Sequence, residues 1–264
     1  NYDKLVKRLI PISKKKLDLN INVKTNKGKI CLYSNDLYYD NISKVKAAIQ
    51  NEAGEVLIPT QHGGYKYGIG YVNEVINTIE VRKDYFISWG WKDETTETVI
   101  PLPSPMLSKI KDRHKESSKS FVLVSSIANF YGSRYNSWLP PQYIFDYRQE
   151  KESFINKIES KLKTYFYYRP YPEKVYSLKD KSYFAKKHPN INILAGNLKE
   201  KMLSMRLLII DHPGTTLGIS MAANVPTIMF FKRKFFPMIG EVKDLFEEFK
   251  QAKVYHEDYR SAID

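Results

Sequence analysis

The sequence predicts an α/β protein made of two Rossmann-like domains facing a cleft. Three features carry that expectation. Short, near-continuous apolar runs recur, as buried parallel strands require. Segments with apolar residues at helical spacing lie between them. A proline-rich stretch near the middle separates two such series, each with the alternation of a parallel α/β sheet.

In the first series, "GKICLYS" (28–34), "GEVLIPT" (54–60) and "DYFISWGW" (84–91) read as strands. Between the first two, "ISKVKAAIQN" (42–51) places Ile42, Val45 and Ile49 on one helical face. Between the second and third, "YVNEVINTIEV" (71–81) does the same with Val72, Val75, Ile76 and Ile79. The stretch "IPLPSPMLS" (100–108) reads as a linker or strand-edge crossover, and the charged "KIKDRHKESSKS" (109–120) as an exposed loop. The expected domains are therefore 1–105 and 106–264.

The second series opens with "SFVLVSS" (120–126) as a strand, followed by an aromatic loop, "NFYGSRYNSW" (129–138). "EKESFINKIESKLK" (150–163) reads as an amphipathic helix with Phe154, Ile155, Ile158 and Leu162 inward. Strands are expected at "KTYFYYRPYP" (163–172) and "PNINIL" (189–194), with the polar loop "DKSYFAKKHPN" (180–190) before the latter ends. A helix at "LKEKMLSM" (198–205), a strand at "RLLIID" (206–211), a helix near 214–224 and a strand at "PTIMFF" (226–231) follow. The C-terminal "EVKDLFEEFKQAKVYHEDYRSAID" reads as helical throughout.

Composition narrows the function classes. The 264 residues are 42% hydrophobic and 27% charged, a globular composition with room for two domains. No apolar run approaches the roughly 20 residues of a membrane span. The start, "NYDKLVKRLI", has neither a signal-peptide core nor an initiator Met, so a first domain truncated at its N-terminus is expected. The single cysteine, Cys31, excludes an internal disulfide and a Cys-based zinc site, and reads as a buried small side chain in a reducing compartment. Residues 1–105 carry 15 Lys/Arg against 12 Asp/Glu, whereas 106–264 carry 27 against 17. The basic excess of the second half suits an anionic partner: a nucleotide, a polyphosphate, nucleic acid or an anionic membrane face.

Two turns concentrate chemistry. In the second half an apolar run stops at Asp211-His212-Pro213-Gly214-Thr215-Thr216 and a helix follows. Gly214 lets backbone approach a ligand, Thr215 or Thr216 can cap the helix, and the amides at its start suit a phosphate, with His212 as a further donor. The same spacing also serves an ordinary capped strand–helix connection. In the first half a strand runs into Gln61-His62-Gly63-Gly64, where His62 can act as a general base or as a donor to substrate. Glu74 and Glu80 lie on the helix after it. Arg169, at the end of "YFYYR", can grip a phosphate with paired donors, and Ser125 and Ser126 end a strand at the same expected edge. His188 and Asp180 fall in the polar loop, and His114 and His256 read as surface residues. No His, Asp or Glu set has metal-ligand spacing, so no bound metal and no resident cofactor is expected.

The segments "QHGGYKYG", "DYFISWGW" and "RLLIIDHPGTTLGISMAANVPTIMFF" resemble a family of surface-carbohydrate transferases from bacterial O-antigen-type clusters, over about Gly54 to Phe231. The resemblance implies a GT-B-like fold with an acceptor-side first domain and a second domain holding a nucleotide-sugar donor. More distantly, His-Pro followed by hydroxyls is similar to the motif with which Kdo- and sialyl-type transferases hold a CMP-sugar phosphate. Carried over, His212, Thr215 and Thr216 contact the donor phosphate, and Gln61 and His62 line the reaction centre. The positions read above add Gly214, Arg169, Ser125 and Ser126 to the expected donor phosphate and nucleotide site, and Glu74 to the expected catalytic residues. A paired acidic motif in the first domain is missing here, so the resemblance names no base.

The implied activity is transfer of a sugar from a nucleotide donor, CMP-sugar first, to a glycan or lipid-linked glycan acceptor. It implies a cytoplasmic enzyme, also suited to peripheral contact with an anionic inner membrane face. The rivals are a polyol-phosphate polymer transferase, a sugar-nucleotide epimerase of related fold, and a basic nucleic-acid-binding module. Aromatic residues at 14% fit the last of these, but most lie inside apolar runs, and no specific nucleic-acid motif is present.

Overall fold

A computed structural model describes residues 22–34, 36–64, 84–92, 97–131, 139–238 and 240–264. The expected helix at 71–81, together with Glu74 and Glu80, lies outside the described residues. The described chain falls into two compact units. One holds the residues up to His62 and those from 84 to Leu102; the other holds Gly63, Gly64 and everything from Pro103 onward.

In the first unit, β1 (Ile30–Tyr33) pairs in parallel with β2 (Val56–Pro59), with Ile30 opposite Val56 and Tyr33 opposite Pro59. The parallel connection needs a crossover. It is supplied by α1 (Asp36–Tyr39) and α2 (Asn41–Glu52), the latter capped by Asp40 accepting from the amides of Ile42 and Ser43. Leu37, Ala47 and Leu57 form a small core with Cys31. Cys31 is buried as expected, but among polar partners: its thiol donates to Glu55 Oε2 at 2.9 Å and Gln50 Nε2 donates to its sulfur at 3.0 Å. A second parallel pair, β3 (Phe86–Ser88) with β4 (Val99–Pro101), joins through a single bridge between Thr60 and Ile87. The proline-rich stretch is thus an edge strand, and it leads into a short helix, α3 (Pro105–Ser108), capped by Ser104.

The second unit is built on one six-stranded sheet. Its strands are β5 (Phe121–Val124), β6 (Phe166–Arg169), β7 (Asn192–Ile193), β8 (Leu207–Ile210), β9 (Thr227–Phe230) and β10 (Tyr255–His256). All neighbours run parallel, in the order β10-β9-β8-β5-β6-β7. Side chains alternate across the sheet, and both faces are buried. Val122, Val124, Leu208, Ile210 and Met229 enter one core, while Leu123, Ile209 and Phe230 enter the other. That is why these strands read as unbroken apolar runs. The first core is covered by α7 (Thr215–Ala222) and α8 (Gly240–Gln251), through Leu217, Ile219, Val242 and Phe246. The second receives Phe184 of α5 (Asp180–Lys187) and Phe154 and Ile155 of α4 (Ile144–Lys157).

Several expectations need correction. The helix expected at 150–163 begins at Ile144 and ends at Lys157; Ile158 is its C-cap, and Leu162 is 41% exposed rather than inward. Its buried face includes Tyr147, Glu150 and Lys151, which an apolar periodicity does not register. The polar loop at 180–190 is mostly α5, ending at His188. The helix at 198–205 is a short α6 (Leu198–Lys201) followed by turn. The C-terminal stretch is α8, then β10, then α9 (Tyr259–Ile263). His114 and His256 are half-buried rather than surface-exposed, their Nε2 atoms 2.8 Å from Met205 O and 3.1 Å from Lys253 O. No helix among the described residues is long and apolar enough to cross a membrane.

One buried ion cluster ties α4 to α5. Lys151, wholly buried, and Arg148 both donate to the Asp180 carboxylate, Arg148 Nε at 2.7 Å. Burial pushes the Asp180 carboxyl upward, but the two cations outweigh it and hold its pKa below the ordinary value. Asp180→Ala leaves Lys151 a buried unpaired cation, and a loss of about 3–5 kcal/mol by denaturant titration is expected. Because the folded pKa lies below the unfolded value of about 3.9, the contribution of Asp180 is complete above that value and lost as pH falls through the folded pKa. The stability difference between wild type and Asp180→Asn should therefore shrink as the titration moves from neutral pH into the acid range.

Candidate active site

The strand order of the second unit contains a switch point. From β5 the chain moves outward to β6 and β7, then returns to β8 on the other side of β5 and moves outward to β9 and β10. Connections from β5 and β8 leave in opposite directions, the kind of switch point outside whose strand carboxyl ends open α/β sheets bind ligands. Val124 and Ile210 are the last paired residues there, so Ser125 and Asp211 are the first beyond the sheet.

These residues make a tight polar knot. Asp211 is 1% exposed. Its Oδ2 accepts from Ser125 Oγ at 2.6 Å, and its Oδ1 accepts from the Tyr147 hydroxyl at 2.6 Å. His212 Nδ1 lies 3.0 Å from the same Oδ1. The Tyr147 hydroxyl in turn accepts from the Ser126 amide at 3.1 Å. Burial first, and then the Asp211 charge, push the Tyr147 phenol well above its ordinary pKa, so it stays a neutral donor. A buried carboxylate is tolerated where donors converge on it, here the Ser125 and Tyr147 hydroxyls. Lys151 Nζ sits 4.1 Å from the Tyr147 ring centroid, which links this knot to the Asp180 ion cluster.

Beyond His212, Gly214 is the N-cap of α7, with extended φ −96 and ψ −166 and no side-chain cap hydrogen bond. The expectation that Thr215 or Thr216 caps this helix is therefore not met. The two threonines occupy its first turn, and the Thr215 hydroxyl accepts from the Gly64 amide at 2.9 Å. The Gly63-Gly64 pair packs against this helix start. A Cβ on Gly63 would lie 2.9 Å from Thr215 Oγ1, and Gly64 has φ +78, a left-handed conformation that glycine adopts readily. The first amides of α7 thus meet no side-chain acceptor at the N-cap, and the partial positive charge of the helix start lies just past His212.

Arg169, expected as a phosphate clamp, ends β6, and its Nη1 donates to the Leu194 carbonyl at 2.8 Å. A cavity of about 10 Å³, room for about one water, lies beside the β5 end, bordered by Ser126, Tyr171, Ser177 and Asp180. Within the first unit, Gln61 is 3% exposed, and its Oε1 accepts from the Trp89 amide at 2.7 Å and the Trp91 indole at 2.8 Å. The "SWGW" segment and the strand end are thereby braced to each other. His62 is half-buried, and burial pushes its pKa below the ordinary value, which favours the neutral ring at neutral pH. Among the described residues no group of three His, Cys, Asp or Glu could hold a metal ion.

The structure brings together Ser125, Ser126 and His212 through two residues that sequence reasoning gave no role, Tyr147 and Asp211. A double-mutant cycle tests the packing of the glycine pair. Gly63→Ala should destabilise the protein, and Thr215→Ala should relieve most of that loss. The expected coupling is about 0.5–3 kcal/mol by denaturant titration; additive losses would show that Gly63 and Thr215 do not meet.

Residues 10–263 match the family described as LIC12162 family transferase. No curated protein and no solved structure matches the chain.

Proposed function

The chain belongs to the LIC12162 transferase family, and from that premise we propose that it is a glycosyltransferase of GT-B architecture. It moves a sugar from a nucleotide-activated donor, CMP-sugar first, to a surface-polysaccharide acceptor. The observation that carries the reading is that, past the central strands of one parallel sheet, His212 held beside Asp211 is followed two residues later by the uncapped start of α7. Dinucleotide- and nucleotide-binding sheets place anionic ligands at such a crevice. The basic excess of residues 106–264 adds long-range attraction for the same ligand class.

In this reading the second unit holds the donor. His212, the Thr216 hydroxyl and the first amides of α7, reached past Gly214, take the donor phosphate, with Ser125, Ser126, Thr215 and Arg169 supporting them. Sugar transfer breaks the bond from the anomeric carbon to the phosphate oxygen and forms one to an acceptor hydroxyl oxygen. Negative charge develops on the leaving phosphate, and fixed donors lower its energy without a metal ion. The nucleotide-sugar is a substrate, and the reading requires no resident cofactor. The acceptor hydroxyl must lose a proton. A neutral His62 suits that task, with Gln61 bracing the turn that carries it and Glu74 as a further carboxylate. The acceptor is a glycan or lipid-linked glycan, no specific nucleic acid is involved, and the setting is cytoplasmic, with peripheral contact at the inner membrane face.

A thermal-shift panel of CMP, CDP, UDP, GDP and their sugars tests the reading. Ligand at about a hundred times its dissociation constant stabilises by about 2.7 kcal/mol, so a clear rise in Tm is expected with CMP or a CMP-sugar. His212→Ala should weaken that binding about tenfold or more, the loss of one charge-assisted hydrogen bond. Turnover of a CDP-polyol would move the assignment to a polyol-phosphate transferase, and UDP-sugar conversion without acceptor would move it to an epimerase. A panel in which no nucleotide shifts Tm, with salt-sensitive binding to oligonucleotides instead, would overturn it.

A further inference from the structure

We propose that Asp211 and Tyr147 are positioning residues that hold the His212 proton on Nδ1, so that the ring meets an anionic group only by taking up a second proton at Nε2. The inference rests on the reading of the hinge as an anion site.

The direction of each hydrogen bond follows from a backbone amide, which cannot reverse. The Ser126 N–H donates to the Tyr147 hydroxyl. That hydroxyl therefore points its own proton at Asp211 Oδ1. Ser125 Oγ donates to Oδ2. An ionised carboxylate only accepts, so the His212 Nδ1 that shares Oδ1 carries a proton. In the neutral ring Nε2 is then a bare lone pair. A phosphate oxygen is also an acceptor, and the two repel until Nε2 is protonated. The imidazolium formed on ligand binding has Asp211 as its counter-charge, already in contact. The proton comes from solvent, and no bond other than N–H is made or broken in this step.

Among the described residues, these ionisable groups are tied to the Asp211–His212 pair. Asp211 is on its own turn. From α4 come Tyr147, held neutral by burial and by Asp211, and behind its ring Lys151, which is committed to Asp180. From β6 comes Tyr168, whose phenol burial pushes well above its ordinary pKa. From β5 comes the Ser125 hydroxyl, which donates to Asp211. Asp211, 3.0 Å from Nδ1, is the group placed to choose the His212 tautomer and to neutralise its charge.

Two measurements test the proposal. Nitrogen-15 spectra of protein labelled at its histidines, with His212→Asn to assign the signal, should show the Nδ1–H tautomer in the ligand-free protein at pH 8. Calorimetry at pH 8 with CMP, CDP, UDP and GDP, in buffers of different ionisation enthalpy, should show uptake of about one proton per bound nucleotide. Uptake should fall toward zero in Asp211→Asn and in His212→Asn, and to an intermediate value in Tyr147→Phe. A residue that only supports the fold would change affinity or Tm and leave the proton count unaltered. An Nε2–H tautomer in the wild type would overturn the proposal, as would undiminished uptake in Asp211→Asn. If Asp211→Asn does not fold, Tyr147→Phe and the wild-type spectrum decide. If none of the four nucleotides binds the wild type, the functional reading fails, and the tautomer alone decides the positioning claim.

Discussion

A single carboxylate organises the centre of the second unit. Asp211 leaves the end of β8 at the point where the sheet's connections diverge, and it is out of contact with water. Burying such a charge costs several kcal/mol unless donors replace its solvent. The chain supplies donors from Ser125 on the neighbouring strand and Tyr147 on α4, and sets His212 Nδ1 3.0 Å from the same carboxylate. Each is therefore constrained in rotamer and in hydrogen-bond direction. Strand β5, strand β8 and helix α4 are locked at one spot, and the His212 ring, itself buried at 7% exposure, is locked with them.

The polar interior extends one layer further. Lys151 lies over the Tyr147 ring and pairs with Asp180, which also takes Arg148. A buried ion pair of this sort adds little net stability compared with apolar residues of the same volume. It ties Arg148 and Lys151 of α4 to Asp180 in the first turn of α5. The same helix then presents Tyr147 at the correct height below the strand ends. The apolar clusters on the two faces of the sheet supply the bulk of the stabilisation.

The strands of the second unit were legible because a parallel sheet covered on both faces demands apolar residues at every position. "FVLV", "LLII" and "TIMF" leave no other reading. Strand β10 was not legible, since two residues, Tyr255 and His256, carry no pattern. Helix α4 was read with its start six residues late, because its buried face uses Tyr147, Glu150 and Lys151 in place of apolar residues. Helix α5 buries only Asp180 and Phe184, too few to show a period. At the site, the hinge residues His212, Gly214, Thr215 and Thr216 stood out by their types and spacing. Their support did not: Tyr147 lies 64 residues from Asp211 along the chain, and only the folded geometry joins them. The i, i+4 spacing of Tyr147 and Lys151 on a helix was the one available signal, and it needed the correct helix start to be seen.

The glycine pair at 63–64 follows a strand of the first unit yet belongs to the second, where its backbone supplies a donor to Thr215. The two units are consequently not two consecutive lengths of polypeptide. A fragment beginning at Pro103 would contain the whole six-stranded sheet and still be missing a piece of its own helix cradle. Gene-level cutting or swapping of halves at the proline-rich stretch would carry that piece away with the wrong partner. Evolutionary exchange of one half for another is constrained in the same way, since any incoming first half must bring a tight, side-chain-free loop that fits against Thr215.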